Sequence, residues 1–427
     1  MRRKRSKHTV FNFVLLLLST AGLLFIVITM LTEDGSGSRS VQTSAFATPE
    51  PDGLPSDEAK APPLPPSPTA SPPPAPTPEP TPVYQEATLI AVGDIMMHKP
   101  QIPGAYDKVK KRYDFSEYFK QVTPLFEQGD WVMANLETPI AGASYGYTGY
   151  PSFNAPIELL DALDDAGVNI LTNANNHVLD KGEKGLLRTL EHLKQYSFAI
   201  KGSAASREEA DANVIVERNG IKMGILAYTY GTNGIPIPEG KPYMVNMIDE
   251  NKIIADIKKT KEAGADLVTI ALHFGTEYQT QPNEEQKRLS RKLIAEGADI
   301  IAGSHPHVIQ PYEVLQATDG KGGTRQGLII YSLGNFISNQ RDNTKDYGVI
   351  FKVHIRKNAT NGTVELKEIT SIPTWVHRYQ PDRNYRYRIL PVEQTIKDSS
   401  DSLLTAADYK SLKTHLALLR NRLESMR

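Results

Sequence analysis

The chain has 427 residues, a formal net charge of −1 and no cysteine. Near-zero charge leaves no electrostatic footprint for nucleic acid, so no nucleic-acid partner is expected. The lack of cysteine excludes disulfides, thiolate zinc sites and cysteine nucleophiles together.

The basic cluster MRRKRSKH opens the chain, and 1–9 reads as a cytoplasmic head. Residues 10–31, VFNFVLLLLSTAGLLFIVITML, carry no charge. At 1.5 Å per residue they reach about 33 Å, enough for a hydrocarbon core of about 30 Å. Lys and Arg precede this span, and Glu33 and Asp34 follow it. That asymmetry orients the N-terminus in the cytoplasm and predicts a single-pass protein of the cell membrane with its main domain extracellular. The alternative is a cleaved signal peptide. Its apolar region would run about 7–15 residues with a small-x-small site close behind, whereas AFA at 45–47 lies well downstream.

Residues 32–84 are Ser-, Gly- and then Pro-rich, and include PPLPPSPTASPPPAPTPEPTP. Such a stretch cannot bury enough apolar surface to offset its ordering entropy. It is expected to be disordered, a semi-rigid spacer of about 3 Å per residue holding a domain away from the membrane.

Residues 85–378 read as the principal domain. Short apolar runs recur, each ending in polar residues: ATLIAVGD, WVMANLE, NILTNANNH, MGILAYTYG, LVTIALHFG, DIIAGSHPH and LIIYSLGN. Runs of this length rich in Val, Ile and Leu are buried strands. Helical periodicity appears at 157–166, 183–196, 253–263 and 284–296, and the last two end in AGAD and EGAD, glycine stops leading into the next strand. The alternation predicts an α/β fold. Residues 379–427 form a C-terminal extension with an amphipathic helix at about 402–426, which could dock or project.

Nearly every predicted strand ends in a residue able to hold a metal: Asp94, Glu137, Asn176 with His177, His273, and His305 with His307. Singly, each has a plainer reading. A strand-end aspartate is usually a cap, an LHFG histidine a core residue, and NNH a loop. Five such events in one domain point to a shared site, because strand ends on one side of a layered sheet converge. Carboxylate, amide and imidazole donors suit one or two divalent ions such as Mn, Fe or Zn. His8, His192, His354, His377 and His415 lack this context and read as structural or surface.

The order GD…NLE…NNH…H…HPH…GNF resembles the bacterial poly-γ-glutamate capsule synthesis (CapA) family, a divergent branch of the calcineurin-like metallophosphoesterases. The resemblance covers roughly 86–340, and NNHVLD, GSHPHV and YSLGNFI are its most specific pieces. It implies a four-layer α-β-β-α sandwich around a two-metal centre. Under it, Asp94 and His307 are first-metal ligands and Glu137 bridges. Asn176, His273 and His305 are second-metal ligands, and His177 is the catalytic histidine. Two positions depart from the superfamily pattern: Met96 stands where a histidine is expected, and Glu137 where an aspartate is. A thioether is a poor ligand for hard ions, so the first site is expected to be weaker or rearranged; His98 is a candidate substitute. Asn335, Tyr147 and Tyr150 are candidate substrate contacts.

The resemblance implies a membrane-anchored, extracytoplasmic component of poly-γ-glutamate synthesis and export. Its site would be hydrolase-like, its substrate an anionic polymer or a phosphoester, and its partners the subunits of a capsule-polymer synthase. A general exported metallophosphoesterase and a non-catalytic assembly or polymer-binding subunit remain the alternatives.

Overall fold

Strand β1 (Tyr84–Ile95) begins on the last residue of the predicted spacer and is buried without interruption from Ala87 onward. A computed structural model describes residues 83–318 and 323–427. The predicted membrane span, and nearly all of the spacer, lie outside the described residues. Among those described, no helix is long and apolar enough to cross a membrane.

After β1 comes a two-stranded ribbon, β2 (Tyr106–Asp107) and β3 (Arg112–Tyr113), then β4 (Trp131–Leu136), β5 (Ile170–Thr172) and β6 (Ala199–Lys201). Next follow β7 (Val214–Arg218), β8 (Ile221–Thr229), β9 (Leu267–His273), β10 (Ile300–Ser304), β11 (Tyr312–Thr318) and β12 (Thr324–Ile330). The last are β13 (Asn335–Ile337), β14 (Tyr347–Asn358), β15 (Val364–Tyr379) and β16 (Arg386–Pro391). Among the described residues, all but the β2–β3 ribbon form two mixed sheets. One runs β16-β15-β14-β1-β4-β5-β6 with β13 paired to β1; the other runs β11-β12-β10-β9-β8-β7. Strands β1, β4, β5 and β6 are parallel, as are β8, β9, β10 and β12.

Side-chain alternation sets the layers. Ala87, Leu89 and Ala91 of β1 join Trp131 and Met133 against Ile225, Leu267, Ile300 and Leu328 of the second sheet. Ile90 and Val92 point the other way, onto Phe126, Leu159 and Leu163. On the far face of the second sheet, Val268, Ile270 and Ile301 meet Ile253, Ile257, Leu289 and Leu293. The order is therefore helix, sheet, sheet, helix. Burying each such aliphatic side chain stabilises the fold by about 1.5–3 kcal/mol. Trp131 ties the two sheets further by donating its indole N–H to the Val216 carbonyl at 3.1 Å.

The predicted helices appear at Glu158–Asp165, Gly182–Leu193, Glu250–Glu262 and Glu284–Ala295. Gly264 and Gly297, at φ 97° and 114°, supply the left-handed residue that ends the last two. The C-terminal segment belongs to the same body. Strand β16 extends the first sheet through β15. The helix Ala406–Glu424, started by a capping box between Thr405 and Asp408, buries Leu412, Leu419 and Leu423 in the core between the sheets. Arg422 of that helix donates to Thr344 Oγ1 at 3.0 Å and to the Ile309 carbonyl, two residues beyond His307, at 3.4 Å.

Candidate metal centre

The C-terminal ends of the parallel strands of both sheets meet at one place. In register, Asp94 of β1 lies beside Asn135 of β4 and Asn335 of β13, and His273 of β9 beside Ser304 of β10. Two glycines permit the close crossings. A Cβ on Gly93 would sit 1.9 Å from the Gly334 carbonyl oxygen, and one on Gly303 would sit 2.0 Å from that of Tyr331. This gives the GD and GS dipeptides a steric reason. Beyond β10 the backbone turns through positive φ at His305 (96°) and His307 (58°). Non-glycine residues held there store strain of about 1–3 kcal/mol each, which persists only where surroundings fix it. Asn335 supplies part of the fixing by donating to the His307 carbonyl at 3.2 Å and that of Lys345 at 2.8 Å.

Six of the predicted residues are buried together: Asp94, Glu137, Asn176, His273, His305 and His307. Five of them, all but Asn176, supply donor atoms in two groups, Glu137–His273–His305 and Asp94–Glu137–His307, each with its ligand atoms within 4.8 Å of one another. Glu137 belongs to both. Asp94 Oδ2 lies 3.1 Å from His307 Nδ1, and its Oδ1 accepts from Asn135 at 2.8 Å. His273 Nε2 lies 2.9 Å from Asn176 Oδ1 and its Nδ1 lies 2.9 Å from Ser304 Oγ.

Burial alone would raise Asp94, but the hydrogen bond and charge of His307, with His273 and Asn135, hold it below the usual carboxylate range. Burial and then the charge of Asp94 push Glu137 well above that range. Burial disfavours a charged His307, yet Glu137 and then Asp94 push it up to about 9. Burial carries His273 down to about 3 and, with the neighbouring His273 and His307, carries His305 down to about 2. The 3.3 Å approach of His273 Nε2 to Glu137 Oε1 is thus a contact of neutral rings with a carboxyl, not an ion pair.

The fit to metal can be tested on unsatisfied atoms. Among the described residues, both Glu137 oxygens and His305 Nδ1 are buried without a hydrogen-bond partner. Keeping Glu137 ionised and unpaired there would cost several kcal/mol, which is why its pKa rises, and a nearby cation would remove that cost. Two carboxylates, an amide oxygen and three imidazoles suit Mn, Fe or Zn.

His177 stands beside this cluster. Its Nδ1 lies 2.9 Å from Asp180 Oδ2, a carboxylate that also accepts the Phe153 amide at 2.7 Å. Both His177 and Asp180 line a cleft of about 470 Å³, with Met96, His98, Tyr150 and Tyr278 among its other walls. His98 lies in the cleft but outside the ligand groups; it faces the Asn339 amide through Nδ1 at 3.3 Å. Burial, then the charges of His307 and His177, lower it to about 4. A larger cleft, about 740 Å³, is lined by Tyr106, Lys108, Tyr379 and Arg386; it contains none of the ligating groups.

Two expected substrate contacts sit elsewhere. Tyr147 packs edge-on against Tyr113, ring centroids 5.3 Å apart, and does not line the cleft. Asn335 is fully buried and does not line the cleft; its Nδ2 donates to the His307 and Lys345 carbonyls and to Gln340 Oε1, which holds the His307 turn. Tyr150 does line the cleft and is 77% exposed. Three residues were missed from sequence. Asp180 completes NNHVLD at an i,i+3 spacing from His177, which is the signal that could have found it. Asn135, one residue before Leu136 on β4, shares its face with Glu137 by strand alternation. Glu277, four residues past His273 in a polar loop, has donor atoms within 4.8 Å of those of His305 and His307.

Residues 88–340 match the family described as bacterial capsule synthesis protein PGA_cap. The chain belongs to this family. Within it, the match to capsule biosynthesis protein CapA of Bacillus anthracis is 31% identical over 284 residues, 65% of this chain and 66% of that protein. The match to PGA biosynthesis protein CapA of Bacillus subtilis (strain 168) is 30% identical over 336 residues, 73% of this chain and 83% of the relative. The matched span contains every residue of the PGA_cap member's cluster, from Asp94 to His307. Among solved structures, calcineurin-like phosphoesterase YfkN from Bacillus subtilis aligns with 79% of this chain and 99% of its own, at 15% identity and a TM-score of 0.40. A phosphatase from Mycoplasma pneumoniae aligns with 68% of this chain and 94% of its own, at 14% identity and a TM-score of 0.41.

Proposed function

We propose that the chain is a membrane-anchored, extracytoplasmic component of poly-γ-glutamate synthesis and export that carries a metal-dependent hydrolase-like site. The observation that carries this reading is the convergence of Asp94, Glu137, Asn176, His273, His305 and His307, with buried donor atoms left unpartnered. Divalent ions held there supply Lewis-acid chemistry. The chain's own residues do the rest. Asp180 fixes the tautomer and orientation of His177, leaving its Nε2 to give a proton to a leaving group or steady developing charge. Tyr150 and Tyr278 wall the cleft, and Lys345, with Nζ 5.0 Å from the Tyr278 ring centre, brings a positive charge suited to an anionic polymer or a phosphoester.

The deciding experiment incubates the purified full-length chain, loaded with Mn²⁺, with poly-γ-glutamate and separately with generic phosphodiesters. Shortening of the polymer that disappears in His177→Ala supports the capsule reading, and turnover of phosphodiesters alone points to a general exported phosphoesterase. A second reading, a non-catalytic assembly or polymer-binding partner of the synthase subunits, is favoured by one observation: the buried thioether of Met96 where an imidazole is expected. Normal polymer production by a His177→Ala strain would select it. The topology is tested by adding protease to intact protoplasts, which is expected to remove the domain and spare the N-terminus; full protection of the domain would reverse it.

A further inference from the structure

In the cleft that Met96 and His307 line, the chain places a carboxylate that the sequence pattern does not account for. Glu277 lies in the loop between β9 and the helix Glu284–Ala295, at the mouth of the cleft. Its carboxylate and the ring nitrogens of His305 and His307 lie within 4.8 Å of one another. His305 belongs both to this group and to the Glu137–His273–His305 group, and its buried Nδ1 has no hydrogen-bond partner among the described residues.

The position of this loop is built, not incidental. The amide after Glu277, that of Tyr278, donates to the Pro306 carbonyl at 2.8 Å, between the two histidines. Gln310 Nε2 donates to the carbonyls of Gln279 at 2.8 Å and Gln281 at 3.2 Å. At the loop's start, a Cβ on Gly275 (φ 101°) would meet the Gln286 side chain at 2.6 Å. Tyr278 itself is held at φ 65°. Strain of this kind at Tyr278, His305 and His307 persists only where the structure around it over-determines the backbone. The loop and the histidine turn are therefore registered to each other, with the Glu277 side chain over the imidazoles.

We propose that Glu277 is a ligand of the metal on the Asp94–His307 side, supplying from the loop the donor that Met96 does not, and that it biases this side toward harder ions such as Mn²⁺. This rests on the reading that the centre holds divalent ions. Asp94, Glu137 and His307 give three donors there; a fourth donor that is a carboxylate makes the set richer in oxygen than one with an additional imidazole, and oxygen donors favour Mn²⁺ over softer ions. Being solvent-exposed, Glu277 forms the weakest of these bonds and the one easiest to lose.

The test is Mn²⁺ titration of the full-length chain in detergent, followed by electron paramagnetic resonance and by metal analysis, for the unmodified protein, Glu277→Gln, Glu277→His and Asp94→Asn. The first Mn²⁺ should bind alike in the unmodified and Glu277→Gln proteins. The second should bind about 10–100-fold more weakly in Glu277→Gln, a loss at least as large as outer-shell changes produce. Glu277→His should restore that binding and move its preference toward Zn²⁺. Melting curves check that the variants fold. If Glu277→Gln binds both ions as tightly as the unmodified chain while Asp94→Asn does not, the centre stands and Glu277 is not a ligand. If Glu277→His is as weak as Glu277→Gln, the carboxylate acts through charge alone and the proposal fails. If the unmodified chain binds no Mn²⁺, both this proposal and the metal reading beneath it fall.

Discussion

Glu137, His273 and His305 form one side of the centre; Asp94, Glu137 and His307 form the other. The first side is fully furnished. Asn176 stands 2.9 Å from His273, the Ser304 hydroxyl orients the same ring from behind, and His305 keeps an unpartnered nitrogen. The second side has one imidazole, already engaged by Asp94 at 3.1 Å, and a buried methionine in place of another. The difference teaches that a shared scaffold does not make two equal sites. Strand ends deliver backbone positions to both sides alike, and the side chains then decide affinity one donor at a time.

Removing His305 breaks the comparison from its strong side. In His305→Ala, metal retained through purification should be lost, with affinity falling by more than about 100-fold, beyond the range of outer-shell changes. Metal analysis of the purified variant reads this directly.

Protons come next. His307, pushed up to about 9, is protonated at neutral pH, and Glu137 is raised well above the usual carboxylate range. His307 must lose that proton to ligate, and the raised Glu137 works in the same direction, so metal binding releases protons and strengthens as pH rises. His273 and His305, lowered to about 3 and about 2, need lose none at neutral pH. The affinity for Mn²⁺ on the Asp94–His307 side should therefore climb between pH 6 and 9, roughly tenfold per unit for each proton displaced. Calorimetry in two buffers of different ionisation enthalpy counts the protons; equal heats in both would remove the effect.

How much of this was legible beforehand follows from what each residue depends on. Asp94, Glu137, Asn176, His273, His305 and His307 could be read because each ends an apolar run, and a parallel sheet aligns such ends without further information. The helices could be read because glycine stops and apolar periodicity are local. Asn335 and Tyr147 could not be placed. Whether an amide faces a cleft or a carbonyl, and whether a loop tyrosine turns toward Tyr113, is settled by packing between segments distant in the chain. Glu277 was hidden for the same reason: its loop is positioned by hydrogen bonds to Pro306 and from Gln310. The sequence leaves the docking of the C-terminal helix open, because its apolar residues, Leu412, Leu419 and Leu423, match a groove between two sheets that only the assembled fold creates.

A smaller effect sharpens the comparison from the weak side. Met96→His should tighten the second ion by about 10-fold or more by restoring an imidazole; unchanged binding in a titration would mean that position 96 does not reach the ion. Smaller again is Asn335→Ala. It strands the His307 and Lys345 carbonyls, which costs about 1–3 kcal/mol, and should lower the melting temperature by several degrees in a scanning calorimeter. The smallest effect on binding belongs to His177→Ala. Its ring is held by Asp180 beside the cluster rather than within it, so metal content should stay near that of the unmodified chain while any hydrolysis falls by about 10²–10⁴-fold.

The most direct test of an unequal metal centre is the metal content of the unmodified full-length chain, measured by inductively coupled plasma mass spectrometry as purified and again after Mn²⁺ loading and desalting. The predicted result is nearer one ion per chain as purified, rising toward two after loading. No retained metal under any loading would contradict it.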